Sequence, residues 1–140
     1  MKSFFGLLAL LLFSARAYAQ APAADDPMAR YLFPPDRVMS HSLELGLDDG
    51  QKSAIKNEVQ KVQGKFLDLQ FDLQAESEKM IRLLQEKPVD EAKVLAQVDR
   101  ILALEKEIKR AQVSLLVRIK NVLTSAQQEK LAEIQRAGAK

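Results

Sequence analysis

The sequence has no cysteine, no tryptophan and a single histidine. Without cysteine there is no disulfide framework and no thiolate to serve as nucleophile or metal ligand. Any Ser-His-Asp site would have to be built around His41, and no serine is marked as activated. There is no Gly-rich phosphate loop and no helical His-Glu-x-x-His pair. The expectation is a protein that is not an enzyme. Charge of one sign is also scarce. The formal net charge is +2 and the two signs are interleaved, which gives no support to a nucleic-acid partner. Apolar and polar residues do not alternate with period 2 over any useful length, so no sheet is expected.

Long apolar runs are missing too. The one apolar stretch near the start, Phe4 to Phe13, falls well short of the ~20 residues of a spanning helix. It follows Lys2 and precedes Ala17-Tyr18-Ala19, a small-x-small cleavage site. Residues 1–19 therefore read as a secretory signal peptide, cut after Ala19, with no membrane span in the mature chain. Its removal takes away Lys2 and Arg16 and no acid. Lys+Arg falls from 21 to 19 against 19 Asp+Glu, so the exported chain is formally neutral. An exported chain without disulfides has to hold itself together by packing.

What is present is a 3-4 rhythm. In a first arm Ile55, Val59, Val62, Phe66, Leu69, Leu73, Met80 and Leu84 form a seam interrupted by Glu76. In a second arm Val94, Val98, Ile101, Ile108, Leu115, Ile119 and Val122 repeat it, with Glu105 and Gln112 in the gaps. Such a rhythm over about four heptads marks helices packed lengthwise on one another. Pro88 ends the first arm and Asp90 caps the second. The fold class expected is all-α: a long antiparallel hairpin, each arm roughly 50 Å long at 1.5 Å per residue. Gly64, within the first arm, suggests a bend or a close approach of helices.

Short helices flank the hairpin. Asp36 to Leu45 reads as one, with Asp36 as N-cap and Gly46 as stop. Leu47-Asp48-Asp49-Gly50-Gln51 opens the first arm with a capping box, and Leu123-Thr124-Ser125-Ala126-Gln127 opens a last helix in the same way. Both corners lie at the open end of the hairpin. Residues 20–35 read as a flexible leader, 36–136 as the domain and 137–140 as a frayed tail.

At these corners the chain resembles the bacterial LTxxQ family of periplasmic stress proteins. That family includes the Spy/CpxP chaperones, the zinc-resistance-associated proteins and the heavy-metal sensors. Leu123-Thr124-x-x-Gln127 matches the motif, and Leu47-Asp48-x-x-Gln51 is its degenerate upstream copy. The heavy-metal-sensor branch is the most similar, in its hairpin turn and helix lengths. The resemblance implies a periplasmic homodimer that acts by binding. Its partners would be unfolded periplasmic proteins or a membrane-bound sensor or regulator. The alternative it implies is a heavy-metal sensor or resistance protein for nickel, cobalt, zinc or copper.

Two sets of residues are candidates for that work. His41 and Glu44, three apart on a helix, can face one divalent transition metal, with Met39 or Glu58 as further ligands from the same end. His41 also shares the apolar face of Val38 and Leu45, where a packed histidine would sit. Two good ligands are fewer than a tight transition-metal site needs. The second set is a surplus of apolar residues off the seams, among them Leu67, Phe71, Ile81, Leu102, Val113 and Leu116. They suggest a dimer interface or a client surface.

Overall fold

The computed structural model describes residues 27–138. The expected signal peptide, the first seven residues of the expected leader and the last two residues lie outside them. A short 3-10 turn at Pro27–Arg30 leads to α1 (Pro35–Ser40), α2 (Ser42–Leu45), α3 (Asp49–Gln85), α4 (Glu91–Val122) and α5 (Ser125–Gly138). Among the described residues there is no strand. Helices α3 and α4 are the expected hairpin, about 55 and 48 Å long at 1.5 Å per residue.

The starts of both arms follow the local chemistry. The Asp48 side chain accepts from the Gln51 N–H at 2.7 Å, and the Asp48 N–H donates back to Gln51 Oε1 at 3.2 Å. The Asp90 side chain accepts from the Lys93 N–H at 3.1 Å. Each cap satisfies N–H groups that a helix start leaves without partners. Between the arms the chain turns through a cis Lys87–Pro88 bond.

The seam is as expected over most of its length, with one shift near the turn. Leu84 is exposed, and Leu83 is the residue turned inward. The 3-4 alternation that places Leu69, Leu73, Glu76 and Met80 inward calls next for a step of three, which is Leu83. Gly64 has open space where a Cβ would stand, so no helix approaches closely there.

Asp36–Leu45 is two helices rather than one. Pro34 is the N-cap of α1 and makes no side-chain cap bond, Pro35 occupies N1, and Asp36 lies in the first turn. Proline suits N1 because its missing N–H would have had no helical partner. The break falls at His41 (φ −101°, ψ 16°). Just before it, the Ser40 hydroxyl donates to the Arg37 carbonyl at 2.9 Å, the same carbonyl that the His41 N–H reaches at 3.3 Å. That local competition weakens the last turn of α1. Gly46 then closes α2 in the left-handed region at φ 63°, where a side chain would be strained.

The core sits at the open end. Phe33, Val38, Leu45, Leu47, Ile55, Leu115, Ile119, Leu123 and Leu131 form one buried cluster. It draws on Phe33 ahead of α1, both short N-terminal helices, both arms and α5. Fully burying each such side chain stabilises the fold by roughly 1.5–3 kcal/mol. Lys120 fastens the segment before α1 to α4: its ammonium donates to the Tyr31 carbonyl at 2.8 Å. The same ammonium lies 5.9 and 5.8 Å from the Tyr31 and Phe33 ring centroids, within cation–π range.

Candidate functional site

The corner motifs form one structure. At the second corner the Thr124 N–H donates to Gln127 Oε1 at 2.9 Å and the Gln127 N–H to Thr124 Oγ1 at 3.2 Å. Each motif is thus a capping box in its own right. The two glutamines also bond to one another. Gln51 Nε2 donates to Gln127 Oε1 at 2.8 Å, and Gln127 Nε2 to Gln51 Oε1 at 3.1 Å. Each amide then reaches a carbonyl beside the other motif, Gln51 to Val122 at 3.0 Å and Gln127 to Leu45 at 3.3 Å. So one side chain caps its own helix, meets its counterpart and caps the end of the neighbouring helix. Leu47 and Leu123, the leucines of the two motifs, are buried. Gln128 adds bonds to the Lys120 and Leu123 carbonyls at 3.0 and 3.1 Å, satisfying the end of α4. The sequence carried a signal for this pairing: the same Leu-x-x-x-Gln spacing at two corners sharing one end of a hairpin.

The metal candidates are brought together only in part. His41 Nδ1 stands 3.2 Å from Glu44 Oε2, with the His41 side chain 33% exposed. Met39 is exposed on α1. Glu58 is engaged elsewhere: its carboxylate takes Lys61 at 2.7 Å and Arg118 of the other arm at 3.3 Å. The Lys61 hydrogen bond holds the Glu58 carboxyl below its ordinary range, Arg118 adds to this, and partial burial opposes it. Among the described residues no three His, Cys, Asp or Glu gather where they could hold a metal ion.

The surplus apolar residues divide in two. Leu67, Phe71, Ile81 and Leu102 are 49, 63, 51 and 54% exposed, and Leu95 and Val117 join them. Leu116 is different. It is 6% exposed and buried within the chain, so it offers no surface, and Val113 is half-buried. Leu116 follows Leu115 and precedes Ile119 by three, so it falls at the edge of the buried stripe. At about 100° per residue, Leu67, Phe71 and Ile81 on α3 and Leu95 and Leu102 on α4 fall on one flank of the antiparallel pair. The other flank carries charge, with Lys79, Arg82, Lys93 and Arg100 around one groove.

A polar pair, one member buried and the other half-buried, lies between these flanks. Gln97, 4% exposed, donates from Nε2 to the Glu76 carbonyl at 2.7 Å and to Glu76 Oε2 at 2.6 Å. Glu76 therefore interrupts the seam because it has a partner across it. The Lys79 hydrogen bond, followed by that of Gln97, keeps the Glu76 carboxyl below the ordinary range. Glutamine at this position was not legible as an inward residue from polarity alone.

No described helix is long and apolar enough to cross a membrane. Comparison with known proteins returned no match among curated proteins and none among solved structures. The family model described as heavy-metal resistance matches residues 4–130, which takes in the hairpin, both corners and the start of α5. The hairpin closed by paired Leu-x-x-x-Gln corners and the extent of that match place this chain in the heavy-metal resistance family of LTxxQ, Spy/CpxP-like periplasmic proteins.

Proposed function

We propose that the protein works in heavy-metal and envelope stress by binding and not by catalysis, as an exported homodimer that holds unfolded proteins or a regulatory partner. The observation that carries this reading is the apolar flank. Five large apolar side chains, Leu67, Phe71, Ile81, Leu95 and Leu102, stand about half exposed or more on the middle and outer part of the hairpin. Contiguous exposed apolar surface on a small domain usually marks a partner's place. The family supplies the heavy-metal context. A dimer formed along part of this flank would leave the remainder as a client cradle.

The test is suppression of aggregation. The wild-type protein should keep a reduced, unfolding client in solution, and Phe71→Ser with Leu102→Ser should lose that capacity while keeping full helicity. Light scattering on the same samples reads the dimer, and a monomer at micromolar concentration rejects that part. Export predicts that the protein isolated from the periplasm begins at Gln20.

A second reading, direct metal sensing, is favoured by the His41–Glu44 pair at 3.2 Å. It belongs to the heavy-metal-sensor branch that the hairpin turn resembles. Calorimetric titration with nickel, cobalt, copper and zinc separates the two. Tight binding that disappears in His41→Ala would put the sensor first.

A further inference from the structure

The charged flank contains a groove that the binding reading leaves unused. It lies near the turn end of the hairpin and is an open groove of about 470 Å³. Helix α3 contributes Lys79, Arg82 and Leu83, its C-cap residue Glu86 follows them, and α4 contributes Lys93, Ala96, Gln97 and Arg100. Both sets follow the spacing i, i+3, i+4, i+7, so each helix lays one stripe along the groove. Ala96 adds no bulk between the two stripes.

We propose that this groove binds tetrahedral oxyanions, the class that includes phosphate, arsenate and molybdate. Four cations and one acid line it. Lys79 is already answered by Glu76, and Lys93 stands 3.7 Å from Asp90. The two guanidiniums remain. Among the described residues Arg82 has no ion-pair partner, and Arg100 acts on Glu76 only through its field. Glu86 is the one lining carboxylate, and it too lacks an ion pair. Counting Glu76 and Asp90 with it, the cations still outnumber the acids. A guanidinium presents a planar fork of donors that matches two oxygens of an oxyanion, which an ammonium cannot do. Lys93 and Arg100 are two helical turns apart, about 10 Å. That length suits one hydrated tetrahedral anion better than a stretch of peptide. The same charges repel metal cations, so this site would take toxic elements only in their anionic forms. The heavy-metal reading enters solely in the choice of arsenate and molybdate as probes.

Amide NMR on the isotopically labelled protein tests it, with phosphate, arsenate and molybdate titrated separately. Residues 79–100 should shift saturably. Arg82→Gln with Arg100→Gln should weaken binding roughly tenfold or more, since charge-assisted bonds are lost. Lys106→Gln, outside the groove, should change nothing. Phosphate, arsenate and molybdate binding alike would mark a general oxyanion site. Preference for the heavier anions would tie it to resistance. Absence of saturable shifts, equal binding by the double variant, or response only to phosphatidylglycerol vesicles or to an acidic peptide would overturn the proposal. The double variant should still suppress client aggregation, so failure here and failure of the binding reading are separable.

Discussion

The two ends of the hairpin are built differently. At the open end, three short helices and the segment around Phe33 converge on α3 and α4, and the buried cluster from Phe33 to Leu131 lies almost wholly there. Toward the turn only Leu69, Met80, Gln97 and Ile101 are buried. The difference is one of layers. Two helices meet along a single seam and leave their other faces to water, so a pair alone cannot bury much. The open end gains a second layer from α1, α2 and α5. The outer half has none, and the apolar flank of Leu67, Phe71, Ile81, Leu95 and Leu102 and the charged groove lie on the middle and outer part of the hairpin. The buried core is thus concentrated at one end of the long axis.

The largest effect should come from emptying the open-end core. Ile119 is fully buried, and Ile119→Ala should cost about 2–5 kcal/mol, read as a marked fall in the denaturant midpoint. Leu69→Ala, on the thin seam, should cost visibly less. Equal losses would mean that the two halves are not as unequal as their burial.

Next comes the amide pair. Gln127→Ala removes the reciprocal half of the α5 capping box and leaves Gln51 without its counterpart, at a cost of about 1–3 kcal/mol if the remaining groups stay unsatisfied. Gln51→Ala should behave alike, and the double substitution should cost less than the two losses added, because they share one interaction. Strict additivity in thermal melts would break the idea that the corners are joined.

Thr124 acts on one corner only. Thr124→Ala should cost about 0.5–2 kcal/mol, while Thr124→Ser keeps the hydroxyl and should be nearly silent. A Thr124→Ala protein that melts normally yet no longer binds a partner would make the motif a docking surface instead of a cap.

Acid should act on the arms more gently. Glu58 and Glu76 are held below the ordinary carboxylate range. Their folded-state values are depressed, so the stability they add is present above the unfolded value of about 4.5 and is lost as the pH falls through the folded values. Both ion pairs are surface features screened by water, so the loss should be small. Melting curves between neutral pH and acid should show less change in Glu76→Gln than in the wild type over that window. At the far end of the scale, Phe71→Ser should leave stability within about 0.5 kcal/mol while weakening association or client binding.

Much of this was legible in the sequence. The arms, the turn and both capping boxes follow from apolar spacing, Pro88 and short polar side chains, all local signals. What was not legible depends on partners remote in the chain. Gln97 reads as a surface residue until Glu76 is placed opposite it. Leu116 reads as surplus, yet it is buried in the folded chain. Leu84 and Leu83 differ by a single step of the seam, which packing decides. His41 reads as part of a helix until Ser40 competes for the Arg37 carbonyl. The candidate metal ligands could be named from sequence, but Glu58 is taken by Lys61 and Arg118, an inter-arm contact that spacing cannot reveal.

The Gln51–Gln127 pair also orders events in time. Its partners are 76 positions apart, whereas the turn brings neighbours together at once. Closing a short loop costs less entropy than closing a long one, so the hairpin should zip from Pro88 outward, and contacts of long separation should form late. The amides can meet only when the arms are in register along their whole length and the chain has been delivered as far as Gln127. A chain that slipped by one turn would present its glutamines to the wrong carbonyls. The corner is therefore a final check on assembly: it rewards a finished hairpin and leaves an incomplete or misaligned one open.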